Sequence, residues 1–257
     1  MKTFHLSVAA VLFLILSPLT MVNAESCGEK IDDNIKLQQI DEMLNNGQNQ
    51  LALHLLEASS VADGPNSFER LWRLARVYYE MGRLDEEKTE QLFKKSEQYA
   101  RSAITRAPDC SDGYKWLAIA LGGQTKYSNT QTRVRLSREI KESIEKAIDL
   151  NPEDDISYLV LSRWHYKISG LGVLARTFAK IIYGGIPEAS LAKAEKLLLL
   201  AIELQDRISH RYNLAKVYKR MGRQEDAVEQ LKLALLLPVT FPEEAEELEK
   251  SREKLEE

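Results

Sequence analysis

In this chain of 257 residues, any chemistry would have to come from its histidines, cysteines, glycine-rich turns and clustered carboxylates. Past residue 24 the histidines are His54, His165 and His210, and none stands in a metal-ligand spacing such as H-E-x-x-H. His165 falls where its helix pattern places an aromatic, so it reads as a packing residue rather than a base. Residues 122–128, GGQTKYS, have the composition of a phosphate loop but not the order G-x-x-x-x-G-K-[ST], and they follow a helical pattern, not a strand. Glu142, Glu145, Asp149 and Glu153 recur at helical spacing with Lys141 and Lys146, which is the pattern of a solvated helix face. Cys27 and Cys110 fit no metal motif; a disulfide between them and two free thiols both stand open. No catalytic constellation, metal site or cofactor site emerges, so the expectation is a chain that is not an enzyme.

Charge and the first residues narrow the partners. The chain has 35 Lys and Arg against 39 Asp and Glu, a net charge of −4; without residues 1–24 the count is 34 against 39. That mild acidity argues against nucleic acid as a general partner, because such binding leans on phosphate neutralisation. Lys2, an apolar run at 6–16 too short to span a bilayer comfortably, the break at Pro18 and Val22-Asn23-Ala24 before Glu25 together read as a signal peptide. Cleavage between Ala24 and Glu25 predicts an exported chain, periplasmic or secreted, with residues 25–257 as one domain. An uncleaved anchor is the alternative, since residues 17–22 extend the apolar run.

What would position the remaining candidates is a repeat. LARVYYEMGR at 74–83 returns as LAKVYKRMGR at 214–223, matching at eight of ten positions when Arg76/Lys216 counts as charge-preserving. Apolar residues recur every three to four positions and Gly and Pro are few, so the chain is all-α. Helix ends repeat as well: Ala103, Ala147, Ala201 and Ala234 each precede an aliphatic residue and then a proline or polar stop. The last unit, with Leu214-Ala215, Tyr218, Gly222, Ala227, Leu231, Ala234 and Pro238, resembles the tetratricopeptide repeat. Four earlier units read likewise, around Ile40 to Leu56, Leu71 to Ala103, Tyr114 to Ala147 and Tyr158 to Ala201. The final alanines lie 44, 54 and 33 residues apart, which places extra residues at 85–97, 122–138 and 170–189. The expectation is an α-solenoid of about five hairpins with insertions in the middle repeats, and a charged tail helix from 242 as a solvated cap.

The order LWRLARVYYEMG, YKWLAIALGG, IKESIEKAIDLNPED, SRWHYKISGL, YNLAKVYKRMGR and LALLLPV resembles the regulator of microtubule dynamics family over about residues 66–250. The Arg163-Trp164-x-Tyr166 core and the late LPV are its more specific parts. The resemblance implies a tetratricopeptide-like fold. An export signal would separate the chain from tubulin, so the resemblance is carried over for fold rather than for partner.

The tetratricopeptide resemblance implies which helix positions line a concave groove. Those columns hold Trp72, Arg76, Tyr79 and Glu80, then Lys115 and Ile119, then Arg163, Tyr166 and Lys167, then Tyr212, Lys216, Lys219 and Arg220. A basic-aromatic groove in an acidic chain fits a protein or peptide partner with acidic side chains or a terminal carboxylate. The alternative function is a membrane-associated scaffold using residues 171–183, the most apolar stretch after the first 24, with Arg176 and Lys180 toward headgroups. That stretch is expected instead to pack over the solenoid as an extra helix.

Overall fold

The computed structural model describes residues 31–58 and 67–256; Cys27 and the Ala24/Glu25 boundary fall outside them. Five helix pairs follow one another: α1 (Ile31–Asn45) with α2 (Asn49–Ala58), α3 (Phe68–Leu84) with α4 (Thr89–Arg106), and α5 (Ser111–Gln124) with α6 (Thr130–Leu150). The last two are α7 (Asp155–Ser169) with α9 (Leu191–Leu204) and α10 (Ile208–Arg220) with α11 (Gln224–Ala234). An extra helix, α8 (Val173–Tyr183), interrupts the fourth pair, and α12 (Pro242–Glu256) ends the described chain. There is no strand among the described residues. The fold is an all-α solenoid of tetratricopeptide-like hairpins.

Small residues set the helix spacing. Ala103, Ala147, Ala201 and Ala234 are all fully buried, where a larger side chain would push neighbouring helices apart. The core is a chain of overlapping clusters rather than one centre. Ile40, Leu56, Leu74 and Val77 join the first two pairs. Trp116, Leu136, Ile144 and Trp164 join the second, third and fourth. Leu159, Leu198, Tyr212 and Leu231 join the fourth and fifth. Each hairpin therefore draws stability mainly from its neighbours. Arg73 adds a buried polar staple, pairing with Asp41 of α1 at 2.7 Å and Glu69 at 2.6 Å.

The two copies of the decapeptide use their glycine differently. Gly222 has φ of 80°, and nothing lies within 4 Å of where a Cβ would stand, so it is kept for backbone conformation at the α10–α11 turn. Gly82 lies inside α3, which runs on to Leu84, and a Cβ there would stand 2.9 Å from the Phe93 ring. Gly123 meets the same ring from the other side at 2.8 Å. The second unit is thus longer than the fifth because both of its helices are extended, not because a loop was inserted at 85–97.

The other two expected insertions take defined forms. Residues 122–138 turn through a short 3-10 segment, Thr125–Tyr127, before Asn129 caps α6 by accepting from the Thr132 N–H at 2.9 Å. Residues 170–189 carry α8, tied down at its ends: Arg176 donates to the Ile168 carbonyl at 2.7 Å and Arg138 to the Gly185 carbonyl at 2.6 Å. The expectation that α8 packs its apolar face over the solenoid fails. Ala179 is buried, yet Val173, Leu174, Ile181 and Ile182 are 80, 87, 74 and 55% exposed. Cys110, at the start of α5, is disulfide-bonded.

Candidate functional site

A cavity of about 330 Å³ lies between α7, α10, the end of α3 and α12. Helical spacing explains the convergence. Arg163, Tyr166 and Lys167 share one face of α7, and Tyr212 and Lys216 share one face of α10. All five reach the cavity, with Asn213 between them. Arg83, Glu243, Glu246, Glu247 and Lys250 complete its wall and were not anticipated.

Lys167 and Lys216 have no carboxylate at ion-pair distance among the described residues. Burial, and then the neighbouring Arg163, pull both ammonium groups below the ordinary lysine range. Tyr166 stacks with Arg220, whose guanidinium lies 3.5 Å from the ring centre and donates to the Tyr166 carbonyl at 2.6 Å. Arg220 therefore clamps α10 to α7 and stands outside the cavity wall.

Outside the cavity, Tyr79 stacks on Phe93 at 5.2 Å and lies against Trp116 at 6.2 Å. Burial, then the Glu243 carboxylate, pushes its phenol up to about 12. Arg76 donates to Asn45 Oδ1 at 2.6 Å, and burial lowers its pKa. Glu80 pairs with Arg83 at 2.9 Å, and Ile119 packs on the core.

Three column residues lie elsewhere. Lys115 pairs with Asp112 at 2.7 Å and Asp154 at 3.4 Å; burial pulls its pKa down, but the two carboxylates outweigh it and hold it above the ordinary lysine value. Trp72 donates to Glu69 Oε2 at 2.9 Å and lies beneath the Arg73 guanidinium, away from the cavity. Lys219 is exposed and borders a separate small hollow with Lys254 and Leu231.

The largest departure is the tail. Far from being a solvated cap, α12 forms one wall of the cavity. Pro242 and two glutamates open the helix, and Glu244, fully buried, accepts from the Thr240 N–H at 2.7 Å and the Phe241 N–H at 3.1 Å. Glu243 reaches Arg83 at 3.3 Å, and Glu247 reaches Arg163 at 2.9 Å. Glu247 also accepts from Ser209 at 2.6 Å and Asn213 at 3.3 Å. Phe241 sits between the guanidinium groups of Arg76 and Arg207, 5.7 and 4.8 Å from its ring centre. The acidic composition of the tail was the available signal, since it complements the basic columns.

The histidines stand apart from this site. His54 is exposed. His165 is buried beside Trp164, and burial holds its imidazole down at about 4. His210 Nδ1 donates to the Gln205 carbonyl at 2.8 Å and its ring faces Asp155, which Arg207 pairs at 2.5 Å, so this cluster braces α7 against α10. Among the described residues no group of His, Cys, Asp and Glu is placed to hold a metal ion, and no helix is long and apolar enough to cross a membrane.

The model of the family described as regulator of microtubule dynamics protein 1-3 matches residues 36–257. Regulator of microtubule dynamics protein 3 of Xenopus laevis is 33% identical over 226 residues, covering 85% of this chain and 49% of the relative. The rat protein of the same name is 31% identical over 230 residues, with the same coverages. Mouse regulator of microtubule dynamics protein 2 is 28% identical, covering 84% of this chain and 54% of its own length. The chain thus spans about half the length of these curated relatives. In fold it is similar to a thermophilic TPR protein of Thermus thermophilus, with a TM-score of 0.66 at 20% identity, covering 88% of this chain and all of that one.

These comparisons correct one expectation. The relatives are animal proteins named for regulating microtubule dynamics, not exported proteins, so the periplasmic or secreted reading drawn from residues 1–24 is withdrawn. With the family model matched over 36–257 and relatives above 30% identity along most of its length, this chain belongs to the regulator of microtubule dynamics family.

Proposed function

We propose that the chain is a non-catalytic protein-interaction scaffold whose groove takes an acidic or carboxylate-terminated segment of a protein partner. The observation that carries this reading is the pair Lys167 and Lys216, both facing one cavity with no carboxylate at ion-pair distance among the described residues. A carboxylate entering there supplies the missing charge in a partly desolvated setting, where ion pairing is stronger than on open surface. Tyr166 and Tyr212 add flat contact area beside those cations. The relatives' names attach microtubule regulation to those proteins; for this chain the proposal rests on the groove.

Reversing Lys167 and Lys216 to Glu together is expected to weaken binding of a glutamate-rich peptide about tenfold or more, mainly through slower association. The loss should shrink as salt rises from about 50 to 500 mM, because screening weakens steering. Lys94→Glu, on the exposed side of α4 and 58% exposed, is the control. Surface plasmon resonance reads both rates, and equal losses in groove and control variants would contradict the reading.

A second reading draws on α8. Its outward Val173, Leu174, Ile181 and Ile182, with Lys180 exposed beside them, fit shallow contact with a membrane surface. Vesicles of anionic lipid should then shield α8 and leave the groove unaffected.

A further inference from the structure

Charge is segregated along this chain. Residues 242–257 hold eight Glu against three Lys and Arg, a net of −5, whereas residues 1–241 net +1 within a whole of −4. The acidic segment lies on the basic groove. Glu243 and Glu247, four residues apart and so on one helix face, meet Arg83 and Arg163 at 3.3 and 2.9 Å. The attachment differs in kind from the rest of the fold. The hairpins are joined by fully buried aliphatic and alanine side chains, while α12 is joined mostly through carboxylates, with Leu255 as its apolar contact on the last cluster. Ala245 and Glu249 are exposed. Beside the docked helix the cavity stays open, and Lys167 and Lys216, neither in an ion pair among the described residues, line it.

We infer that α12 is a tethered stand-in for the partner: the groove's partner segment is an acidic helix with carboxylates at i and i+4, and it binds by displacing α12. This rests on the groove reading above and names both the shape of the ligand and the regulation of its access. Lys167 and Lys216 give an incoming acidic segment a first foothold while α12 still occupies Arg83 and Arg163. The short link of residues 235–241 keeps α12 at an effective concentration on the order of millimolar, so a micromolar partner meets a groove that is mostly closed. A chain open about 1–10% of the time binds about 10- to 100-fold more weakly than an open one.

The test uses the full chain and, as probe, a fluorescently labelled synthetic peptide of residues 238–257. Glu243→Gln with Glu247→Gln loosens the tethered helix while Arg83, Arg163, Lys167 and Lys216 stay in place, and Arg163→Gln removes one of those cations. The expected result is that the double Glu→Gln chain binds the peptide at least tenfold tighter than wild type, and that Arg163→Gln weakens binding in the double-variant background, where α12 no longer competes for that side chain. Equal affinity of wild type and the double variant, with Arg163→Gln still weakening the double variant, overturns the stand-in and leaves the groove reading intact. No peptide binding to any chain overturns both. Hydrogen exchange on wild type gives an independent readout. Amides of residues 246–254 should open at least tenfold more often than those of α10, and exchange of α12 only with the whole fold would also overturn the inference.

Discussion

A Trp164→Ala chain is expected to lose about 3–5 kcal/mol of stability, the cost of truncating a buried aromatic. Trp164 is 5% exposed and belongs to the cluster that joins α3, α5, α6 and α7. Its indole N–H donates to the Ser137 carbonyl at 2.8 Å, so truncation also strips a buried acceptor of its partner. Against a total of about 5–15 kcal/mol, that loss leaves little margin. Position matters as much as size, because a repeat array coupled only between neighbours can separate at its weakest joint. Urea unfolding followed by circular dichroism should therefore show a broadened or two-step transition. Trp164→Phe, which keeps most of the volume and loses the hydrogen bond, should cost about 1–2 kcal/mol and stay cooperative. A single sharp transition near wild type for Trp164→Ala would contradict the placement of this joint.

The neighbouring residue should behave in the opposite way. Arg163→Ala removes the guanidinium that faces Glu247 and Glu243, leaving a carboxylate that is 13% exposed with only Ser209 and Asn213 as partners. Arg163 is one-third exposed, so solvent softens the effect, and about 1–3 kcal/mol of docking free energy is the expected loss. That corresponds to roughly tenfold to hundredfold faster exchange of α12 amides. The urea midpoint of the hairpins should barely move. A double-mutant cycle with Glu247→Ala checks the cause, since the second substitution should cost little once the first is made. Additive losses would mean that the two side chains do not act as a pair.

The hairpins were legible because each carries its own periodic signal. Alanines such as Ala147 and Ala201 mark close helix crossings wherever they recur, and a proline or polar stop marks the end. Which residues share the groove was legible only where helices stay regular. Arg163, Tyr166, Lys167, Tyr212 and Lys216 converge on one cavity, while Lys115 is drawn off by Asp112 three residues before it and Asp154 at the start of α7. Column arithmetic sees the position of a lysine, not the carboxylates that reach it from other elements. The tail was misread for a related reason. Its glutamates resemble a solvated face when read alone, and become an interface only opposite Arg83 and Arg163. Gly82 and Gly222 make the same point, since matching decapeptide contexts hide a close ring contact in one copy and a positive φ in the other.

The central claim, that acidic segments bind in this groove, is tested most directly by amide chemical-shift mapping of the full chain titrated with the residue 238–257 peptide. Shifts are expected to concentrate at Tyr166, Lys167, Tyr212 and Lys216, with α12 amides moving toward free-helix positions as it leaves. Shifts centred on α8, or spread evenly over exposed lysines such as Lys94, would contradict it.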